Sequence, residues 1–156
     1  MIVTRLRARL GYLTARKLMA SRSAVANPRL WRWMEGQFAR MATLGDPAAQ
    51  SFYGHILLFR GQGMGAKGEG LRLLRLAAEA GDAKAAYQLG VVSLAGDLAQ
   101  PPNGQDAARW WRMAADRGHG LAASKLADLY AAGGPGLTAD PQQAEHYRGI
   151  AARHGL

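Results

Sequence analysis

The sequence predicts an all-α protein, a right-handed α/α solenoid of about three helix-pair repeats with an N-terminal capping helix or helices. Three observations carry that prediction. A short segment recurs at nearly constant spacing, each period divides into two helical patterns, and glycine and proline fall where a helix pair must turn.

The recurring segment ends Leu76-Ala77-Ala78-Glu79-Ala80-Gly81-Asp82, then Met113-Ala114-Ala115-Asp116-Arg117-Gly118-His119, then Ile150-Ala151-Ala152-Arg153-His154-Gly155-Leu156. Met41-Ala42-Thr43-Leu44-Gly45-Asp46 precedes them. The glycines at 45, 81, 118 and 155 are 36, 37 and 37 residues apart, a period of helical-repeat solenoids. A glycine at that place suits the left-handed residue that ends many helices.

Within each period the first half places small and apolar residues along one helical face: Ala49, Tyr53, Gly54, Leu57; Ala85, Leu89, Gly90, Ser93; Ala122, Leu126, Ala127, Tyr130. The second half does the same with Leu73, Leu74, Ala77, Ala78, then Ala107, Trp110, Trp111, Ala114, Ala115, then Ala144, Tyr147, Ala151, Ala152. Large groups on one helix are thereby set to meet small ones on its neighbour. The breaks Gly61-Gln62-Gly63-Met64, Gly96-Asp97 with Pro101-Pro102, and Gly133-Gly134-Pro135-Gly136 supply the turns. Helices are expected at about 28–43, 46–60, 66–80, 82–95, 103–117, 119–132 and 140–154, with Asp46-Pro47 and Asp140-Pro141 as cap followed by first helical residue.

At these residues the chain resembles the Sel-one-like repeat family, relatives of the tetratricopeptide repeats. The match is carried by Ala85-x-x-x-Leu89-Gly90, Gly96, Trp110-Trp111 and Ala114-Ala115-Asp116-Arg117-Gly118 in one period. Another contributes Tyr130, Gly134-Pro135-Gly136-Leu137, Asp140, Ala144 and Ala151-Ala152, and a third Gly61-Gln62-Gly63-Met64 with Ala77-Ala78-Glu79-Ala80-Gly81. It covers about residues 41–155. Ser93 in place of Tyr, Arg148 beside Tyr147 and the Pro-Pro insertion depart from the pattern. The resemblance implies an α/α superhelix that serves as a protein-binding adaptor, without catalysis. Cys is absent, which excludes the disulfide-paired relatives, thiolate zinc sites and cysteine nucleophiles.

The chain has 156 residues, and its formal charge of +9 is unevenly placed. Nine of the 20 basic side chains lie in residues 1–44, where Glu35 is the single acid, so the remainder is nearly neutral. The expected organisation is therefore a basic N-terminal helix or arm over 1–27 and a repeat region over 28–156, with repeats at about 45–80, 81–117 and 118–154. No stretch approaches the roughly 20 apolar residues of a membrane span. Arg16 and Lys17 interrupt the apolar middle that a secretory signal would need, although an Arg-rich, acid-free start is also shared by organellar transit peptides. The Ala/Gly/Leu/Arg bias points to a bacterial cytoplasmic protein, with the inner-membrane surface as a further place of contact.

No catalytic, cofactor or metal site is expected. No His pair has ligand spacing beside an acid, and the glycines from Gly61 to Gly70 lack the Gly-Lys-Ser/Thr ending of a phosphate loop. In a helix-pair solenoid the first helices line the concave face, and helical spacing assigns to it Ser51, His55 and Phe59, then Lys84, Tyr87 and Val91, then Ser124 and Asp128. These could hold a segment of another protein; the alternative is that Phe59 and Tyr87 pack against neighbouring turns. Trp110 and Trp111 read as structural, and one of Trp31 and Trp33 as packing onto the first repeat.

Over residues 4–21, Leu6, Leu10, Leu13 and Met19 fall to one side of a helix and Arg5, Arg9 and Arg16 to another. As a cap, this helix would belong to a degenerate repeat with an insertion around Ser21–Asn27, showing a basic surface of Arg5, Arg9, Arg16 and Lys17 to water. As an arm, it would contact an anionic surface. The expected partner is another protein, with an anionic surface as a second contact; no nucleic-acid reading module is present, so nucleic acid is not the expected partner.

Overall fold

The computed structural model describes residues 2–156; Met1, at the head of the expected N-terminal arm, and the side chains of Ile2 and Met64 lie outside it. Among the described residues the chain forms nine helices: α1 Ile2–Leu18, α2 Arg22–Ala26, α3 Pro28–Thr43, α4 Pro47–Arg60, α5 Met64–Glu79, α6 Ala83–Ala95, α7 Gly104–Ala115, α8 Gly120–Ala132 and α9 Pro141–Arg153. The fold is all-α, and the expected helices are present with ends shifted by one or two residues. The stretch read as an insertion, Ser21–Asn27, contains the short α2, capped by the Ser21 side chain.

The helix boundaries follow from local chemistry. Gly45, Gly81, Gly118 and Gly155 all have positive φ (81°, 104°, 81° and 80°), a conformation that side-chain-bearing residues rarely adopt. Around Gly81 the closing bonds are Gly81 N–H to Ala78 C=O and Asp82 N–H to Ala77 C=O, both 2.9 Å; around Gly118 they run to Ala115 and from His119 to Ala114 at 2.9 and 3.1 Å. This satisfies the last carbonyls of one helix. The next residue opens the following helix: Asp46 Oδ1 accepts from Ala49 N–H at 2.8 Å, Asp82 Oδ1 from Ala85 N–H at 2.7 Å, and His119 Nδ1 from Ala122 N–H at 3.2 Å. Two residues thus end one helix and begin another.

The chain divides into two compact units, residues 1–76 and 77–156. In the first, Tyr12 and Ala15 of α1, Met34, Phe38 and Ala42 of α3, Ala49, Ile56 and Leu57 of α4, and Leu73 of α5 make one buried cluster. Met34 and Phe38 have no exposed surface. Phe38 meets Phe52 edge-on at 5.0 Å between ring centres, and Tyr12 stands edge-on to both, at 6.1 and 6.3 Å, the geometry that ring quadrupoles favour. Trp31 packs against this cluster with the Arg60 guanidinium 5.2 Å above its ring, while Trp33 is exposed. Helix α1 is therefore docked on α3. The side it buries is Ala8, Tyr12 and Ala15; Leu6, Leu10 and Leu13 face solvent.

In the second unit α6 pairs with α7, α8 with α9, and α7 packs on α8. Trp110 and Trp111 are buried. The Trp111 indole lies over Gly90, where an added Cβ would collide with it, and its Nε1–H donates to the Tyr87 carbonyl at 3.1 Å. Gly54 in the first unit has the same register, and a Cβ there would come within 2.9 Å of Leu74. Tyr130 and Tyr147 stack at 6.0 Å, and Arg112 donates to the Tyr130 hydroxyl.

These crossings make a paired prediction. Gly90→Ala should destabilise the protein by about 1–3 kcal/mol, because the indole must move and give up its hydrogen bond. Gly149→Ala, on α9 with nothing within 4 Å of the new methyl, should be neutral or stabilising by up to about 1 kcal/mol. Thermal unfolding of the two variants beside wild type checks both signs.

Candidate partner-binding surface

The side chains expected to face a partner sit on α4, α6 and α8, the first helices of their pairs. On α4, His55 and Phe59 form a row one helical turn apart. The His55 Nδ1 lies 2.7 Å from the Ser51 carbonyl, and its ring stacks on Phe59 with centres 6.3 Å apart and planes at 21°. Phe59 is 66% exposed, and its one ring contact among the described residues is with His55 in the preceding turn. Ser51 is different and corrects the expectation: it is buried and offers nothing to a partner. Its neighbour Gln50 is also buried, and Gln50 Nε2 donates to the Ala42 carbonyl at the end of α3 at 3.3 Å.

On α6, Lys84 is exposed, and Tyr87 and Val91 are half-buried. Tyr87 is held in place: its ring stacks on the His119 imidazole with centres 4.7 Å apart and planes at 13°. Its own carbonyl holds the Trp111 indole. On α8, Ser124 is half-buried and Asp128 exposed. The second unit thus presents an aromatic ring fixed by its neighbours, with an apolar residue one turn on and opposite charges at Lys84 and Asp128.

His119 was not among the expected site residues, yet it supports Tyr87 and caps α8. The signal was available: Gly118-His119 stands where Gly45-Asp46 and Gly81-Asp82 stand in the preceding periods, so His119 occupies a capping position. The basic residues Arg5, Arg9, Arg16 and Lys17 are all exposed on α1. Arg16 lies 4.8 Å above the Phe52 ring. Among the described residues no three His, Asp or Glu side chains gather in a way that could hold a metal ion, and no helix is long and apolar enough to cross a membrane.

Comparison with known proteins matches Sel1 repeats at residues 47–82, 83–119 and 120–156, the three helix pairs just described. The chain belongs to the Sel1 repeat family. Among solved structures it is similar to a protective antigen of uropathogenic Escherichia coli that displays the Sel1-like repeat fold, with 25% identity and a TM-score of 0.73 over 96% of this chain and 30% of that one. A Sel1 repeat protein from Oxalobacter formigenes gives 22% identity and a TM-score of 0.72 over 96% of this chain and 42% of that one. An immunity protein from Pseudomonas aeruginosa gives 22% and 0.62 over 90% and 54%. The chain thus spans 30–54% of the length of these proteins. No curated protein matches it.

The histidine cap makes one Sel1 repeat corner sensitive to pH. Burial holds the His119 pKa below its ordinary 6.5, helped by the Lys84 charge and opposed by a backbone hydrogen bond. The unfolded chain then binds the proton at a higher pH than the folded one. Stability from this residue is complete above about pH 6.5 and is lost as pH falls through the lower folded value. His119→Asn caps the helix without titrating in this range. Between about pH 7.5 and 5, wild type should lose more stability than the variant, read from urea unfolding at each pH.

Proposed function

We propose that this protein is a non-catalytic adaptor that holds a segment of a partner protein on the faces of its first helices, the concave side of a Sel1-type solenoid. The observation that carries this reading is Tyr87. Its ring is fixed by the His119 imidazole on one face and remains partly open to solvent. An aromatic held in this way loses little freedom on binding, and Tyr is among the residues that dominate interface energies. Val91 extends the apolar contact, while Lys84 and Asp128 supply charges of both signs for orientation. On α4, Phe59 offers a largely exposed ring braced by His55. A partner segment with apolar anchors one helical turn apart and charges of either sign suits Tyr87, Val91, Lys84 and Asp128 of the second unit. Membership in the Sel1 repeat family supports protein binding as the general role.

The reading is tested with tagged wild type beside Phe59→Glu, Val91→Glu and the double variant, each first shown by circular dichroism to keep its helical content. A partner captured by wild type should be weakened by about tenfold or more in at least one single variant and lost in the double, since a desolvated anchor is worth about 2 kcal/mol or more. Equal capture of the same partner by all four proteins would overturn the assignment of these faces.

A further inference from the structure

We propose that α1 docks the protein onto an anionic lipid bilayer. The inference is independent of the first-helix faces and begins with the side chains that α1 leaves in solvent. The helix spends Ala8, Tyr12 and Ala15 on its contact with the core. On the opposite side Val3, Leu6, Leu10 and Leu13 recur at intervals of three and four residues, and they are 68%, 58%, 58% and 52% exposed. Four large aliphatic groups in one continuous stripe are more than scattered surface leucines. Arg5, Arg9 and Arg16 border the stripe along one edge, Arg7 lies on the other, and Lys17 closes its end; all five are exposed. The sequence contains no acid before Glu35.

This is the composition of a helix that lies in a membrane interface, with aliphatic groups entering the acyl boundary and cations meeting the headgroups. A second observation lies beside the stripe. Arg5 and Arg9 line an open cavity of about 490 Å³ whose wall is apolar, formed by Leu6, Met41, Leu44 and Pro47. Asp46 also borders it, with its carboxylate Oδ1 accepting from the Ala49 amide as the cap of α4. Two arginines lining a largely apolar cavity suit a phosphodiester attached to an acyl chain.

Charge complementarity selects the lipid among possible occupants. Two copies meeting through this face would press their cationic rims together. Nucleic acid would satisfy the arginines but leave the aliphatic stripe in water. An anionic bilayer answers both features at once.

The test is cosedimentation of the full chain with vesicles of phosphatidylglycerol and phosphatidylcholine in equal amounts, and with vesicles of phosphatidylcholine alone. Wild type should pellet with the first and stay in solution with the second. Arg5→Gln with Arg9→Gln should weaken binding by about tenfold or more, each cation near an anionic surface contributing about fivefold. Leu6→Gln with Leu10→Gln should weaken it by at least about tenfold while keeping every charge. All four substituted side chains are exposed, and unchanged thermal unfolding confirms that the variants are folded. Full vesicle binding by the leucine variant would overturn the proposal in favour of plain charge adsorption. Release of wild type by excess soluble glycerol phosphate would overturn it in favour of a small-anion site. A wild-type dimer in sedimentation velocity that the leucine variant lacks, without vesicle binding, would overturn it in favour of a second copy of the chain.

Discussion

The two-residue corner, a left-handed glycine followed by a capping residue, is the constraint on which the rest of the fold depends. At Gly45-Asp46, Gly81-Asp82 and Gly118-His119 one helix has its last carbonyls satisfied and the next has its first amides satisfied without a connecting loop. A longer connection would let the second helix of one pair and the first of the next drift in register. Within each unit, the three residues between α3 and α4 and the four between α7 and α8 hold the offset through their backbone geometry. At Gly45-Asp46 in the first unit and Gly118-His119 in the second, the side chains buried between the two helices inherit that register.

Fixed register makes the choice of side chain at each crossing exacting. Gly54, Gly90 and Ala127 occupy one position of the repeat, and Gly70, Ala107 and Ala144 another. The small residue admits a large partner: Leu74 over Gly54 and Trp111 over Gly90. The indole does more than fill space, since its N–H is tied to the Tyr87 carbonyl. The same residue whose backbone anchors the core thus carries the ring that faces outward onto His119. A packing choice in the interior sets the orientation of a side chain at the surface, and this coupling of core to surface is what a preorganised binding face requires.

The helices and their ends were legible in the sequence because their causes are local. Glycine with positive φ, Asp or Asn before the first turn and proline at the first helical position act within a few residues. The direction in which a helix faces is a tertiary choice. On α1 the sequence pattern pointed to the leucine side, whereas the buried side is Ala8, Tyr12 and Ala15. That side meets α3, where Met34 and Phe38 are fully buried and Tyr12 stands edge-on to Phe38. Ser51 shows the same limit: helical spacing placed it outward, but it is buried. The outward placement of Lys84 and Asp128 followed from periodicity alone, whereas the stacking of Tyr87 on His119 depends on how α6 meets the corner that opens α8.

Comparison of the repeats within this chain separates what the fold demands from what remains free to encode function. Inward positions keep their character from one period to the next: Ala49, Ala85 and Ala122; Tyr53, Leu89 and Leu126; Asp46, Asp82 and His119 as caps. Outward positions at the same register do not, with His55, Val91 and Asp128 at one and Ala48, Lys84 and Leu121 at another. The capping and crossing residues keep their character where these side chains change, so the fold tolerates variation at these positions. A repeat that satisfies its backbone at the corners and its volume at the crossings therefore leaves side chains whose chemistry can change from pair to pair without disturbing the fold.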